Sequence, residues 1–189
     1  MAAPKLKTFD DLLLGLQLDE RIELINGELV PRASPRFEHG VVQAGLVDET
    51  STFRRRKGPG GWWIATEVSV RYSEHHCPTH DLAGWRKERV PERPGGIMTL
   101  IPDWVCEITS PGHERRMYSP ICCACRRNQV PYYWVISPED RTLIAYAWSE
   151  GHYHVVFSVE CDEGVSCQGL AIPPFAEQVM DLDYVFGLE

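Results

Sequence analysis

Two hydrophobic rhythms run along this chain, and the points where one gives way to the other mark its elements. Between Phe9 and Leu18, residues Leu12, Leu13, Leu14, Leu16 and Leu18 follow Asp10, a residue type suited to cap a helix, so a short helix is predicted. Arg21-Ile22-Glu23-Leu24-Ile25 and Glu28-Leu29-Val30 then flank Asn26-Gly27. Both central residues of the tightest hairpin turn need positive φ, which Asn and Gly accept most readily, so this segment reads as a β-hairpin. Ser34-Pro35 reads as the entry to a second helix, with Ser34 as cap and Pro35 at the first helical position. That helix is expected from Phe37 to about Lys57 on the stripe Phe37, Val41, Val42, Leu46 and Phe53, until Gly58-Pro59-Gly60-Gly61 stops it.

Trp62 to Tyr72 alternates with period two over its second half and reads as a long strand. A second strand surrounds Asp81-Leu82-Ala83-Gly84-Trp85, and a buried one covers Leu100 to Thr109 after a loop holding Pro91, Pro94, Gly95 and Gly96. Ser110-Pro111 marks a further helix, ending near Asn128. Strands follow at Tyr132 to Ile136, Thr142 to Trp148 and Tyr153 to Val159, the last two joined as a meander through Ser149-Glu150-Gly151. The acidic and apolar stretch Pro173 to Leu188 suits a short closing helix. Strands and helices interleave with no repeat, linker or low-complexity stretch. The expectation is one α/β domain over residues 1–189, a mixed β-sheet flanked by helices.

Composition narrows the function classes. At 43% hydrophobic residues the chain can bury a full core. No apolar run approaches the roughly 20 residues a bilayer span requires. The start, Met1-Ala2-Ala3-Pro4-Lys5-Leu6-Lys7, has no apolar signal region. Seven cysteines is an odd number for a disulfide framework, so free thiols in a reducing cytoplasm are expected. The net charge of −8 repels nucleic acid in bulk, so any DNA contact must come from local patches. Two runs qualify, Arg54-Arg55-Arg56-Lys57 and the basic residues of Arg86-Lys87-Glu88-Arg89, although such runs are more often solvated helix ends or loops.

Chemistry enters with two carboxylates near the ends of successive strands, Asp81 and Glu107. A hard divalent ion takes oxygen ligands and commonly needs only one or two carboxylates, with water and substrate phosphate completing its shell. Such an ion lowers the pKa of a bound water and offsets charge on the leaving oxygen. Glu107 lies between Val105-Cys106 and Ile108, in a run that favours burial. A buried carboxylate requires a cation or a proton. An ion pair with Arg115 or Arg116 would satisfy it equally well.

Several segments together carry a resemblance. They are the hairpin Ile22-Glu23-Leu24-Ile25-Asn26-Gly27-Glu28-Leu29, Ser34-Pro35 followed by His39, and Asp81-Leu82-Ala83-Gly84-Trp85-Arg86. Pro102-Asp103-Trp104-Val105-Cys106-Glu107-Ile108-Thr109-Ser110-Pro111 and Val130-Pro131-Tyr132-Tyr133-Trp134 complete the series. In order and spacing the chain resembles the bacterial Uma-two family of restriction endonucleases, within the PD-(D/E)xK nuclease superfamily. The resemblance implies a restriction-endonuclease-like α/β core that hydrolyses DNA phosphodiesters with Mg²⁺ or Mn²⁺. By that likeness Asp81 and Glu107 are metal ligands, Glu23 is an accessory acid, and His39 is a helix-borne residue facing the site. Glu67, on the strand before Asp81, is a weaker candidate. Related nucleases often work as dimers, so a homodimer is one assembly the resemblance allows, and the oligomeric state stays open.

The chain departs from the family where it matters for rate. The family helix after Ser-Pro carries an aspartate, a lysine four residues later, a tyrosine, and then Gly-Val-Pro. Counted back from Val130-Pro131, these places hold Met117, Ile121, Cys125 and Gln129 here, and no lysine occurs after Lys87. Arg115, Arg116, Arg126 or Arg127 can hold a phosphate, but an arginine stays charged and handles protons poorly. His80 stands where the family has proline before the aspartate. The expectation is a metal-dependent endonuclease that is weakened or inactive. The alternative is an inert nuclease fold that binds nucleic acid or a protein.

Two clusters and the tryptophans remain. His75-His76-Cys77-Pro78-Thr79-His80 offers zinc-type ligands but matches no standard zinc spacing, and a plain surface loop is the simpler reading. Cys122 and Cys125 share a helix face, where buried thiols more often serve as small apolar groups than as metal or redox sites. Trp63, Trp104 and Trp134 are expected to pack the sheet, while Trp62 and Trp85 are candidates to face a groove and stack on bases.

Overall fold

The computed structural model describes residues 5–18, 21–32, 34–58, 60–110, 122–162 and 164–188. Helix α1 (Phe9–Gln17) opens the fold. Its cap is Thr8 rather than Asp10, because the Thr8 and Asp11 side chains exchange bonds with each other's backbone N–H in a capping box. The hairpin follows as β1 (Ile22–Ile25) and β2 (Glu28–Pro31), with Asn26 at φ 51° and Gly27 at φ 82°, as the turn requires.

The predicted long helix is two helices, α2 (Phe37–Glu49) and α3 (Ser51–Arg55). The Thr50 hydroxyl bonds back to the Leu46 carbonyl at 2.7 Å, a competition with the backbone ladder that bends helices. Arg36, not Ser34, occupies the cap position of α2 and makes no side-chain cap bond, so Pro35 lies outside the helix.

The main sheet has six strands in the order β3 (Trp62–Ser69), β4 (Thr79–Arg86), β5 (Trp104–Ile108), β6 (Tyr132–Ser137), β7 (Thr142–Ser149) and β8 (His152–Glu160). All neighbours run antiparallel except β5 and β6, which are parallel and need a crossover. Helix α4 (Cys122–Arg127) lies in that crossover, and α5 (Leu182–Phe186) closes the chain. The expected helix entry at Pro111, together with Arg115, Arg116, Met117, Ile121 and the Cys122 side chain, lies outside the described residues. No helix among the described residues is long and apolar enough to cross a membrane.

Each face of the sheet carries a core. Under α2, α5 and the C-terminal segment, Trp104, Trp134 and Phe175 meet edge to face. Gly84 makes room there, since a Cβ would stand 3.1 Å from the Trp62 ring and 3.2 Å from the Trp104 ring. The opposite core gathers Val70, Ala83, Trp85, Val105 and Tyr133. Trp62 and Trp85 are therefore buried core residues, contrary to their expected role as stacking platforms, and Trp63 is the partly exposed one. Free thiols were expected throughout, yet Cys161 and Cys167 form a disulfide joining the end of β8 to the C-terminal segment, with their Cα atoms 5.9 Å apart.

Candidate metal centre

Three elements converge where β4 begins. The hairpin docks through backbone bonds between Leu24 and Cys77, at 3.2 and 2.7 Å, which brings the Glu23 carboxylate to the Thr79 N–H. The first turns of α2 carry His39 and Gln43 toward the same place, and β3 supplies Glu67. Gln43 Nε2 donates to the Asp81 carbonyl at 2.9 Å and to Glu67 Oε1 at 3.1 Å, which ties helix to sheet. Glu67 sits at φ 52°, an uncommon conformation for a residue with a side chain, and the β3–β4 ladder loses its Glu67–Asp81 pair there, between Thr66–Leu82 and Val68–His80, with the register unchanged.

Asp81 lies at the middle. Its Oδ2 accepts the Ile108 N–H at 2.8 Å, and its Oδ1 stands 3.4 Å from His39 Nε2. His39 is only 7% exposed, and neither ring nitrogen makes a hydrogen bond among the described residues. Burial disfavours its charged form, but the Asp81 carboxylate, with help from Glu67 and Glu107, outweighs this and raises its pKa above the ordinary histidine value. One donor atom each from His39, Glu67 and Asp81 lie within 4.8 Å of one another.

This set fits a divalent cation. Ligands bound at about 2.0–2.2 Å stand at most about 4.4 Å apart, so a few tenths of an ångström of adjustment close the cluster on an ion. A buried imidazole whose Nε2 faces one carboxylate, with a second beside it, is a donor set that Mn²⁺ accepts, and Mg²⁺ can use its oxygens.

Glu107 belongs to the same neighbourhood with a different partner. Extending the β4–β5 register one pair past Leu82–Cys106 places Asp81 opposite Glu107. The Glu107 Oε1, however, makes a short hydrogen bond with His80 Nδ1, while His80 Nε2 meets the Tyr72 hydroxyl at 2.9 Å. Burial, and then the charges of Asp81 and Glu23, hold Glu107 well above the usual carboxylate range. Burial likewise pulls His80 down to about 4. Both shifts favour the uncharged forms, so the pair holds one proton between them. The three-ligand group contains Asp81 but not Glu107, so the structure brings the two carboxylates onto adjoining strands while giving them different roles.

The cation in the cluster is Arg32, which the sequence pattern alone did not single out. Its Nε lies 3.1 Å from Glu23 Oε1 and its Nη1 lies 2.6 Å from Glu67 Oε2. A signal existed. Glu23 pairs with Val30 across the hairpin, so Arg32 is its diagonal neighbour on the same face. Arg126 and Arg127 are exposed on α4 and take no part in these ion pairs.

The histidine-rich loop disperses its ligands. His75 Nδ1 bonds the Lys7 carbonyl at 2.7 Å, His76 Nδ1 accepts the Asn26 N–H at 3.2 Å, and His80 serves Glu107. Burial pushes the Cys77 thiol up to about 12, which makes it an inert apolar group. None of these residues enters a three-ligand group among the described residues.

The model of the Uma2 family, described as "Putative restriction endonuclease", matches residues 6–172 of this chain. The fold is also similar to a solved structure, "a putative nuclease belonging to DUF820" from Anabaena variabilis. That similarity has a TM-score of 0.73 at 19% sequence identity, covering 95% of this chain and 97% of that one. No curated protein matches the chain.

Proposed function

This chain belongs to the Uma2 family, and from that membership we propose that it is a divalent-metal-dependent DNA endonuclease, centred on Asp81 and slowed by the isoleucine at position 121. The observation that carries the reading is the convergence of His39, Glu67 and Asp81 donors within 4.8 Å, with the buried His39 Nε2 facing Asp81 Oδ1 at 3.4 Å. Asp81 and His39 would hold Mg²⁺ or Mn²⁺, with Glu67 completing the protein ligands. The ion would supply an activated water and charge compensation at the phosphate.

The chain's own residues take the other tasks. The Ile108 N–H orients Asp81, and Gln43 fixes the backbone beneath it. Glu107 and His80 keep a proton beside the reacting centre, between Oε1 and Nδ1. Arg32 provides the fixed positive charge that the family obtains from lysine. It can hold a phosphate oxygen but cannot give up a proton, and this is the physical reason for slow turnover. His39 must release its proton before it can ligate, so activity is expected to rise with pH as that proton leaves, above the ordinary histidine range, which a pH–rate profile with Mn²⁺ would show.

The test is cleavage of supercoiled and single-stranded DNA with Mn²⁺, set against Asp81→Ala. Removing a residue that holds the metal is expected to lower the rate by about 10- to 100-fold or more. Equal rates in both proteins would rule the site out. A second reading, a fold that binds DNA without cutting it, draws on Arg32 already neutralising Glu23 and Glu67. Salt-sensitive binding with no cleavage under either metal would favour it.

A further inference from the structure

A cleft of ≈ 750 Å³ runs along the outer edge of β3, from Trp62 to Val68. Arg54 and Arg55 of α3 stand on one wall and Arg93 on the other. We propose that this cleft seats a single strand of nucleic acid and leads it to the Asp81 cluster, an inference that rests on the nuclease reading above.

The position of the cleft favours this. β3 ends the sheet, so its outer backbone groups have no strand partner until Met98 bridges to Val70. Glu67, a member of the metal-candidate group, lies on this same strand beside Val68 of the cleft. The Val68 end of the cleft is therefore one residue along β3 from the cluster.

Its charge agrees. Arg54, Arg55 and Arg93 are exposed, and none makes an ion pair among the described residues. The acid on the wall, Asp48, accepts the Tyr184 hydroxyl at 2.9 Å. On a chain of net charge −8, this concentration of unpaired arginine marks a place for a polyanion. Trp63, partly exposed, lines the floor. Its indole N–H is donated to the Val90 carbonyl at 2.8 Å and Lys87 Nζ stands 4.6 Å from its ring centroid, so the ring is fixed, and only the part left uncovered can meet a base. Cationic walls with a rigid aromatic floor are how single strands are held without sequence preference. The volume of ≈ 750 Å³ is that of a small-ligand site, so a short stretch of one strand fits inside it.

The test is fluorescence anisotropy with a labelled oligothymidine strand in EDTA, where no cleavage intervenes. The triple variant Arg54→Gln/Arg55→Gln/Arg93→Gln is compared with Lys5→Gln/Arg21→Gln/Arg141→Gln, which removes equal charge from sites outside the cleft. The cleft variant is expected to bind at least about tenfold more weakly than wild type. Its log affinity should also fall less steeply with log salt, by about 2 in slope, from roughly 0.7 for each phosphate no longer neutralised. Circular dichroism of these surface variants checks that they fold. A drop in affinity no greater than in the control triple overturns the cleft, and so does arginine-dependent binding of polyglutamate that is tighter than that of oligothymidine. Normal binding by the cleft variant alongside Asp81-dependent cleavage would remove the cleft and leave the nuclease reading intact. Abolished binding in the cleft variant, with no cleavage by wild type, would do the reverse.

Discussion

Replacing Arg32 by methionine is expected to cost about 2–3 kcal/mol of stability, and Mn²⁺ is expected to restore much of it. Methionine keeps an apolar stem for packing but removes the guanidinium that bridges Glu23 at 3.1 Å and Glu67 at 2.6 Å. Glu23, a buried carboxylate, then loses the Arg32 charge, with Asp81 and Glu107 close by. Breaking a fully buried pair on one side costs about 3–5 kcal/mol, and the 27% exposure of the Arg32 side chain argues for a lower figure. A divalent ion bound at the cluster supplies the missing charge. At a concentration 100-fold above its dissociation constant it stabilises the fold by about 2.7 kcal/mol. Urea unfolding of both proteins with and without Mn²⁺ measures this. The metal should raise the midpoint more in Arg32→Met than in wild type, and equal responses would refute the role given to Arg32.

Trp134→Ala is expected to be more damaging, at about 3–5 kcal/mol. This side chain is 0% exposed, meets Trp104 at 5.1 Å and Phe175 at 5.8 Å between ring centroids, and donates its N–H to the Pro173 carbonyl at 2.8 Å. It thus joins a central strand to the C-terminal segment that covers the sheet. Truncation removes a large buried surface, leaves a cavity and orphans a carbonyl. Domains are stable by only about 5–15 kcal/mol, so the variant loses a large share of its margin. Trp134→Phe retains a ring and should lose less than half as much. Thermal and urea unfolding give the comparison. An alanine variant within about 1 kcal/mol of wild type, roughly the scale of an ordinary surface change, would show that the segment does not depend on this packing.

Much of the architecture was legible in the pattern of residues. Asn26-Gly27 specified its turn because few other pairs accept two positive φ values, and the apolar runs from Trp62 to Val159 yielded the strands of a mixed sheet. What escaped was tertiary in origin. The helix break at Thr50 depends on where one hydroxyl points, and Ser34-Pro35 has the chemistry of a helix entry without being one. Trp62 and Trp85 look on paper like Trp63, and only the packing on each face separates them. Seven cysteines do not reveal that Cys161 and Cys167 meet.

At the site, the sequence and its family likeness singled out Glu23, His39, Asp81 and Glu107, and the structure gathers all four into one neighbourhood. Roles were harder to read than membership. Glu107 turns to His80 because histidine at that position offers a ring nitrogen that proline could not. Arg32 and Gln43 were missed because no periodicity marks a side chain that reaches across from a hairpin or a helix. The hairpin diagonal between Glu23 and Arg32 was the one readable clue.

The central claim is that Asp81, with His39 and Glu67, forms a seat for one divalent ion. Diffraction from crystals soaked in Mn²⁺, recorded for its anomalous signal, tests it most directly. The expected result is a single peak about 2.0–2.2 Å from Asp81 Oδ1, within bonding distance of His39 Nε2 or a Glu67 oxygen. Well-ordered crystals with no peak at Asp81, and with Arg32 still bridging Glu23 and Glu67, would contradict it.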